Sequence, residues 1–404
     1  MKKKSNNSER MKHSMKTVIK NATLYTMETL NNQNGYVAFN ESTIEEVGIT
    51  FDPEKFKDYT ILDAKGALVT PGLVDPHSHI GVMEEGIQFE GNDGNEITNP
   101  VYPELRAIDS LYPNDTAFES ALKAGVTAAI TGPGSANVIG GTFTAVKTVG
   151  NTVDEMVFKD EVCMKMALGE NPKRVYSTQK KNPSTRMASA ALMREWLMRA
   201  KEYSEQLKAY EAGEEDAKKP TFDMKLHSLS RVFDGLPVKI HAHRSDDIMT
   251  AIRVAKEFDL DISLDHGTEA HTIPNSVKES GYPVILGPTL GTAAKYELRG
   301  RSFASAKILK DKNVPFAIMT DHPVIPAENI LVQLALFVKE GLDRTQAMRA
   351  VTIDAAAING VDDVVGSLKE GKHADIVMWD GDFFDIMTRP KHVYVNGRLA
   401  YEQS

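Results

Sequence analysis

Residues 72–80 read GLVDPHSHI, an apolar run that stops at Asp75-Pro76 and then places two histidines one residue apart. In a strand, residues two apart project to the same face. His77 and His79 therefore stand side by side at the end of a strand, an arrangement poor for packing and good for gripping a metal ion. This strand also sets the fold, because it is the first of eight candidate strands that alternate with helical stretches.

Those strands are 68–76, 125–131, 143–149, 161–168, 236–243, 261–266, 282–287 and 314–320. Helical patterns such as 115–125, 247–258 and 328–341 lie between several of them. Alternating strands and helices imply a parallel sheet, and eight units over some 300 residues predict a closed (β/α)8 barrel spanning 68–365. A doubly wound sheet is the structural alternative, but it lacks the Gly-rich dinucleotide fingerprint. Residues 184–218 read as a helical insertion whose Met and Leu stripe serves packing or a subunit contact.

The two ends of the chain differ from the middle. Residues 17–29, 36–49, 373–381 and 391–402 are rich in β-formers, and Asn396-Gly397 is a hairpin signal. They predict a small composite β-sandwich built from 17–67 and 366–404. The basic segment 1–16 has no apolar run after its lysines, so it is read as a tail rather than a secretory signal.

Composition narrows the partners. The net charge of -9 argues against non-specific binding to nucleic acid or an anionic membrane surface. No stretch approaches the roughly 20 apolar residues of a membrane span. A single cysteine, Cys163, excludes intrachain disulfides and a Cys-based zinc site, which fits a reducing, cytoplasmic setting. The expected partner is a small molecule, and the helical insertion makes a homo-oligomer the expected state.

Four further histidines fall at or just beyond strand ends, while His13, His227, His373 and His392 lie in tails, loops or the end domain. His241 and His243 close the fifth candidate strand, His266 closes the sixth, and Asp321-His322 follows the eighth. Side chains at the C-terminal ends of barrel strands face the active site, so four strands deliver His or Asp to one rim. Imidazole and carboxylate are the usual nitrogen and oxygen ligands of zinc and related ions. Lys165 sits in an otherwise apolar strand. It is paired with a barrel carboxylate, snorkels to the rim, or is carbamylated and bridges two metals. Glu170, just beyond that strand, competes for the ligand role.

The order His77-x-His79, Lys165 or Glu170, His241, His266 and Asp321 resembles the amidohydrolase superfamily of metal-dependent hydrolases. So do TPGLVDPHSH (70–79), AGVTAAITGPG (124–134) and VGSLKEGKHADIVMWD (365–380). Within the superfamily the chain is most similar to imidazolonepropionase-related and prolidase-like members. The resemblance implies the barrel and the composite β-sandwich, and one or two divalent ions, zinc first. It implies hydrolysis of a C–N bond in a linear amide, a cyclic amide or an amidine. Asp321 would be the general base, with His266 or His243 on the oxyanion. Arg174, Arg244, Lys295 and His322 are candidate substrate contacts, the basic groups for a carboxylate. Two other readings are a barrel scaffold without chemistry and a hydrolase of esters.

Overall fold

The computed structural model describes residues 16–29 and 31–403. The tail expected at 1–16 lies outside these residues except for Lys16. The chain divides into two compact units, one reaching to Gly72 and resuming at Asp363, the other spanning Leu73–Asp362.

The first unit is a mixed sheet of eight strands. Its path runs Arg398–Glu402, Pro390–Val395, Ile376–Trp379, Leu68–Pro71, Lys16–Tyr25, Asn31–Asn40 and Thr43–Gly48, with Thr60–Asp63 also paired to Lys16–Tyr25. Alternation fills both faces. Val18, Tyr36, Ala38 and Phe56 cluster together, while Ile19, Leu24, Val37, Phe39, Ile376 and Met378 form a separate cluster. The expected strand 36–49 is two strands, turning at Glu41, whose φ is +51°. Asn396 and Gly397 have φ of +47° and +70°, which a two-residue hairpin turn requires. A Cβ on Gly397 would lie 1.5 Å from the Glu41 carbonyl oxygen, so no other residue fits there.

The second unit holds a nearly closed barrel sheet. Its strands are β1 (Leu73–Ser78), β2 (Val126–Thr131), β3 (Ile139–Lys147), β4 (Val157–Ala167), β5 (Val238–Ala242), β6 (Ile262–His266), β7 (Val284–Leu286) and β8 (Phe316–Ile318), and each pairs with its neighbours in chain order. The apolar run at 68–76 is broken at Gly72, so Leu68–Pro71 belongs to the first unit's sheet. Pairs β1–β2 and β4 through β8 are parallel, as expected. The third strand departs from the expectation: β3 runs antiparallel to both β2 and β4. Loop length explains this. A parallel crossover needs about a dozen residues or more. Residues 132–138 and 148–156 are too short to supply one, so the chain doubles back.

Between β8 and β1 there is no strand ladder among the described residues. The gap is bridged at the C-terminal end, where Asp321 N–H donates to His77 O (3.1 Å) and His79 N–H donates to His322 O (2.8 Å). Thr320 N–H also donates to Asp75 Oδ1 at 3.2 Å.

The insertion forms a 26-residue helix, Arg186–Glu211, capped by Thr185, whose hydroxyl accepts from Ala188 N–H. Ala190, Met193, Leu197, Ala200 and Tyr203 bury its apolar stripe within the unit. Arg186 and Arg194 pair with Asp247 (3.0 Å) and Glu257 (2.6 Å) of the helix Ser245–Phe258. The stripe is thus a packing face. Among the described residues no helix is long and apolar enough to cross a membrane.

Candidate metal centre

Four strand ends converge at the barrel rim. From β1, His77 and His79 place their rings 5.3 Å apart. From the end of β8, Asp321 Oδ1 lies 3.6 Å from His77 Nε2 and 3.2 Å from His79 Nε2. From β5, His241 and His243 stand on one face, their ring centres 4.7 Å apart. His266 closes β6 with its ring 4.1 Å from His241, 4.5 Å from His243 and 5.5 Å from His77. All of these side chains are buried. Two triads have ligand atoms mutually within 4.8 Å, His241–His243–His266 and His77–His266–Asp321, and His266 belongs to both.

Backbone conformation aims two of these groups. His266 has φ +75° and Asp321 has φ +56°, left-handed values that a residue with a Cβ rarely adopts. In a regular strand Asp265 and His266 would point to opposite faces. The left-handed step at His266 ends β6 and turns both toward the site. Such strain persists where the surroundings enforce it, and it clusters at functional sites.

Hydrogen bonds fix which ring nitrogens carry protons. His79 Nδ1 faces Gly132 O at 2.7 Å and His266 Nδ1 faces Gly287 O at 3.0 Å. A carbonyl only accepts, so both Nδ1 atoms are protonated, and the His266 ring, held well below the usual histidine range by burial, keeps its lone pair on Nε2. His77 Nδ1 lies 2.6 Å from Asp265 Oδ2, with the same result. Histidines that bind metals are oriented this way, by a carboxylate or carbonyl on the far nitrogen. His243 differs, because its Nδ1 meets the Thr268 hydroxyl (2.8 Å), which can donate to it.

The electrostatics agree. Burial pushes His77 down to about 3, with Lys165 adding to the effect and Asp265 and Asp321 opposing it. Burial also holds His241, His243 and His266 well below the usual histidine range, reinforced by neighbouring histidines and lysines. Neutral imidazole is the ligand form. Lys165, fully buried, is lowered by burial to about 8, and its Nζ lies 3.5 Å from His77 Nε2. Burial raises Asp75 to about 7 against the hydrogen bonds from Thr320 and His77.

The residues therefore fit a divalent ion. Both ring nitrogens of His241 are buried without a hydrogen-bond partner among the described residues. Unpaired buried polar atoms are costly, and a cation removes that cost.

The other expected site residues are placed differently. Glu170 begins the helix Glu170–Thr178 partly exposed and belongs to neither triad; its N–H donates to Glu297 Oε2 at 3.0 Å. Arg174 is exposed on the same helix. Arg244 turns to Asp246, at 3.0 and 2.9 Å. Lys295 pairs with Glu297 Oε1 at 2.7 Å and donates to Asn171 at 3.1 Å. His322 is buried and lowered by burial to about 4, and its Nδ1 accepts from Ala327 N–H at 3.2 Å.

Two carboxylates escaped the sequence reading. Asp265 sits beside His266, where strict alternation hides it. Glu297 comes from a loop without periodicity. It is buried, with Oε1 3.6 Å from His243 Nε2 and 3.9 Å from His241 Nε2.

Comparison with known proteins gives the chain its family. The model of the amidohydrolase family matches residues 68–400. An amidohydrolase of known structure from Thermotoga maritima is 38% identical, with a TM-score of 0.91 over 96% of this chain and 100% of that one. Amidohydrolase tasK of Hapsidospora irregularis is 29% identical over 86% of this chain, which spans only 38% of that protein's length. The imidazolonepropionase of Bacillus cytotoxicus is 25% identical over 91% of this chain and 89% of its own. The chain belongs to the amidohydrolase family.

Proposed function

We propose that this member of the amidohydrolase family is a metal-dependent hydrolase that cleaves a C–N bond in a small substrate. The observation that carries the reading is the convergence of neutral, buried imidazoles with Asp321 at one rim. His77, His79, Asp321, His241 and His266 would hold the ion, with zinc the first candidate. A carbamylated Lys165 would bridge a second ion. Lys165 is favoured over Glu170 for that place because its Nζ lies 3.5 Å from His77 Nε2. A divalent ion supplies Lewis acidity, which makes water a nucleophile at neutral pH and polarises the carbonyl under attack.

The chain's own groups supply the rest. Asp321 takes the proton from the attacking water and passes it to the leaving nitrogen. Of the two histidines expected at the oxyanion, His243 fits and His266 does not. With Thr268 donating to Nδ1, His243 keeps a proton on Nε2 and can donate it. The proton of His266 is committed to Gly287 O. A substrate carboxylate would be met by Arg244 or Lys295, each exchanging its present acidic partner for the ligand, while Arg174 is too exposed to select a substrate.

The test is elemental analysis of protein purified without chelator and with bicarbonate present. It is followed by turnover of N-acyl amino acids, dipeptides and cyclic amides beside matched esters. One or two divalent ions per subunit, and amide turnover abolished by chelation and restored by zinc or manganese, support the reading. Absence of metal after reconstitution, or turnover of esters alone, overturns it.

A further inference from the structure

Beneath the rim lies a buried cation that this chemistry does not use. Lys239 is on β5, two residues before His241 and on the same face, and it is 2% exposed. Its register partner across the sheet is Lys165 of β4. Burying an ammonium group is costly unless it is paired, and Lys239 Nζ makes no hydrogen bond among the described residues. The carboxylate it faces is Asp265, whose Oδ2 lies 3.6 Å away.

That carboxylate is engaged on both oxygens. Oδ1 accepts from the Ser263 hydroxyl at 2.7 Å. Oδ2 lies between Lys239 and His77 Nδ1, the latter at 2.6 Å. A chain of contacts thus runs Lys239–Asp265–His77, from below the rim to a candidate ligand. Lys239 also lines a small cavity of about 30 Å³, together with Cys163, Asp261 and Ser263.

We propose that Lys239 is a positioning residue. It holds the Asp265 carboxylate against His77 Nδ1, so that the ring presents Nε2 to the rim. The inference rests on the metal-site reading above. Partners one shell beyond the ligands typically contribute 10–100-fold to metal affinity. Lys239 lies one contact further out than such a partner, so the lower end of that range applies.

The test is zinc affinity by chelator competition on the whole chain, with circular dichroism to confirm folding. Lys239→Met should weaken zinc binding about tenfold. Asp265→Asn should weaken it at least as much. If the lysine acts through the carboxylate, the double variant should bind no more weakly than Asp265→Asn alone. Lys239→Arg, with the cavity beside it to take the larger head group, should recover most of the loss. A lysine that merely fills space would give neither the non-additivity nor the recovery by Arg. Zinc binding by Lys239→Met as tight as in the wild type overturns the proposal, as do losses that multiply in the double variant. Should Lys239→Met not fold, Lys239→Gln replaces it with the same expected and opposing results. If the wild type itself binds no zinc, the metal-site reading falls, and this inference falls with it.

Discussion

Acid should destabilise the metal-free protein, and the cause is the neutral state of its buried histidines. The perturbation is a shift from pH 7.5 to pH 5 after chelation. An unfolded histidine has a pKa near 6.5 and takes up a proton over this range, whereas a native one held far lower does not. His77, at about 3, and His322, at about 4, each cost about 2 kcal/mol at pH 5 by this linkage. Their stability contribution is intact above pH 6.5 and falls as pH drops toward the native pKa. Asp75 has the opposite sign. Its native pKa of about 7 lies above the unfolded value, so acidification stabilises it by about 2–3 kcal/mol. The two histidines together outweigh that by about 1–2 kcal/mol. His241, His243 and His266, all held well below the usual range, add in the same direction. The assay is urea unfolding of a Trp379→Phe background, in which Trp196 of the helix Arg186–Glu211 becomes the sole tryptophan and reports on the barrel unit. With a slope of roughly 3 kcal/mol per molar urea for a unit this size, the midpoint should fall by about 0.5 M or more. An equal or higher midpoint at pH 5 would refute the reasoning.

Other expectations concern single positions. Gly169→Ala forces a φ of +84° on a residue with a Cβ, which would lie 2.9 Å from Glu297 Oε2 and 3.3 Å from Asp247 Oδ2. With ψ at −146° this backbone is open almost to glycine alone and costs another residue about 1–3 kcal/mol, so the melting temperature should fall by roughly 2–12 °C, and an unchanged value would count against this seating of Glu297. Lys165→Met should carry less metal per subunit than the wild type when grown and assayed with bicarbonate, and equal metal content would remove Lys165 from the ligands. Asp321→Asn should lower kcat by about 10²-fold or more if the carboxylate is the general base, measured on whichever amide the wild type turns over; a variant with near-normal kcat would exclude that role.

The sequence disclosed position more readily than direction or orientation. The eight barrel strands could be located because each is a short apolar run bounded by turn residues. The reversal of β3 was not in its own residues, which suit either direction. It lay in the length of the loops around it. At the site, His77, His79, His241, His243, His266 and Asp321 could be picked out because each ends a strand, and the barrel gathers strand ends at one rim. Asp265 could not, since alternation assigns it away from His266 and only the left-handed turn at that histidine reconciles the two. Glu297 reaches the histidines from a loop, where no periodicity marks a residue as inward. The basic residues misled for a related reason. Charge suggests a ligand contact, but whether Arg244 or Lys295 is available depends on Asp246 and Glu297, whose nearness no pattern announces.

The bridge between β8 and β1 has a consequence for how the protein is made. The bond between Asp75 and Thr320 joins positions 245 residues apart. At about 5–20 residues per second of synthesis, the HxH strand waits roughly 12–50 s on the ribosome before its partner exists. During that interval His77 and His79 are present and Asp321 is not. A nascent chain therefore offers a partial set of ligands and acquires the full set only as the eighth strand docks. The candidate centre lies across the last seam of the barrel to close, so occupying it with an ion would favour the finished barrel over every shorter intermediate.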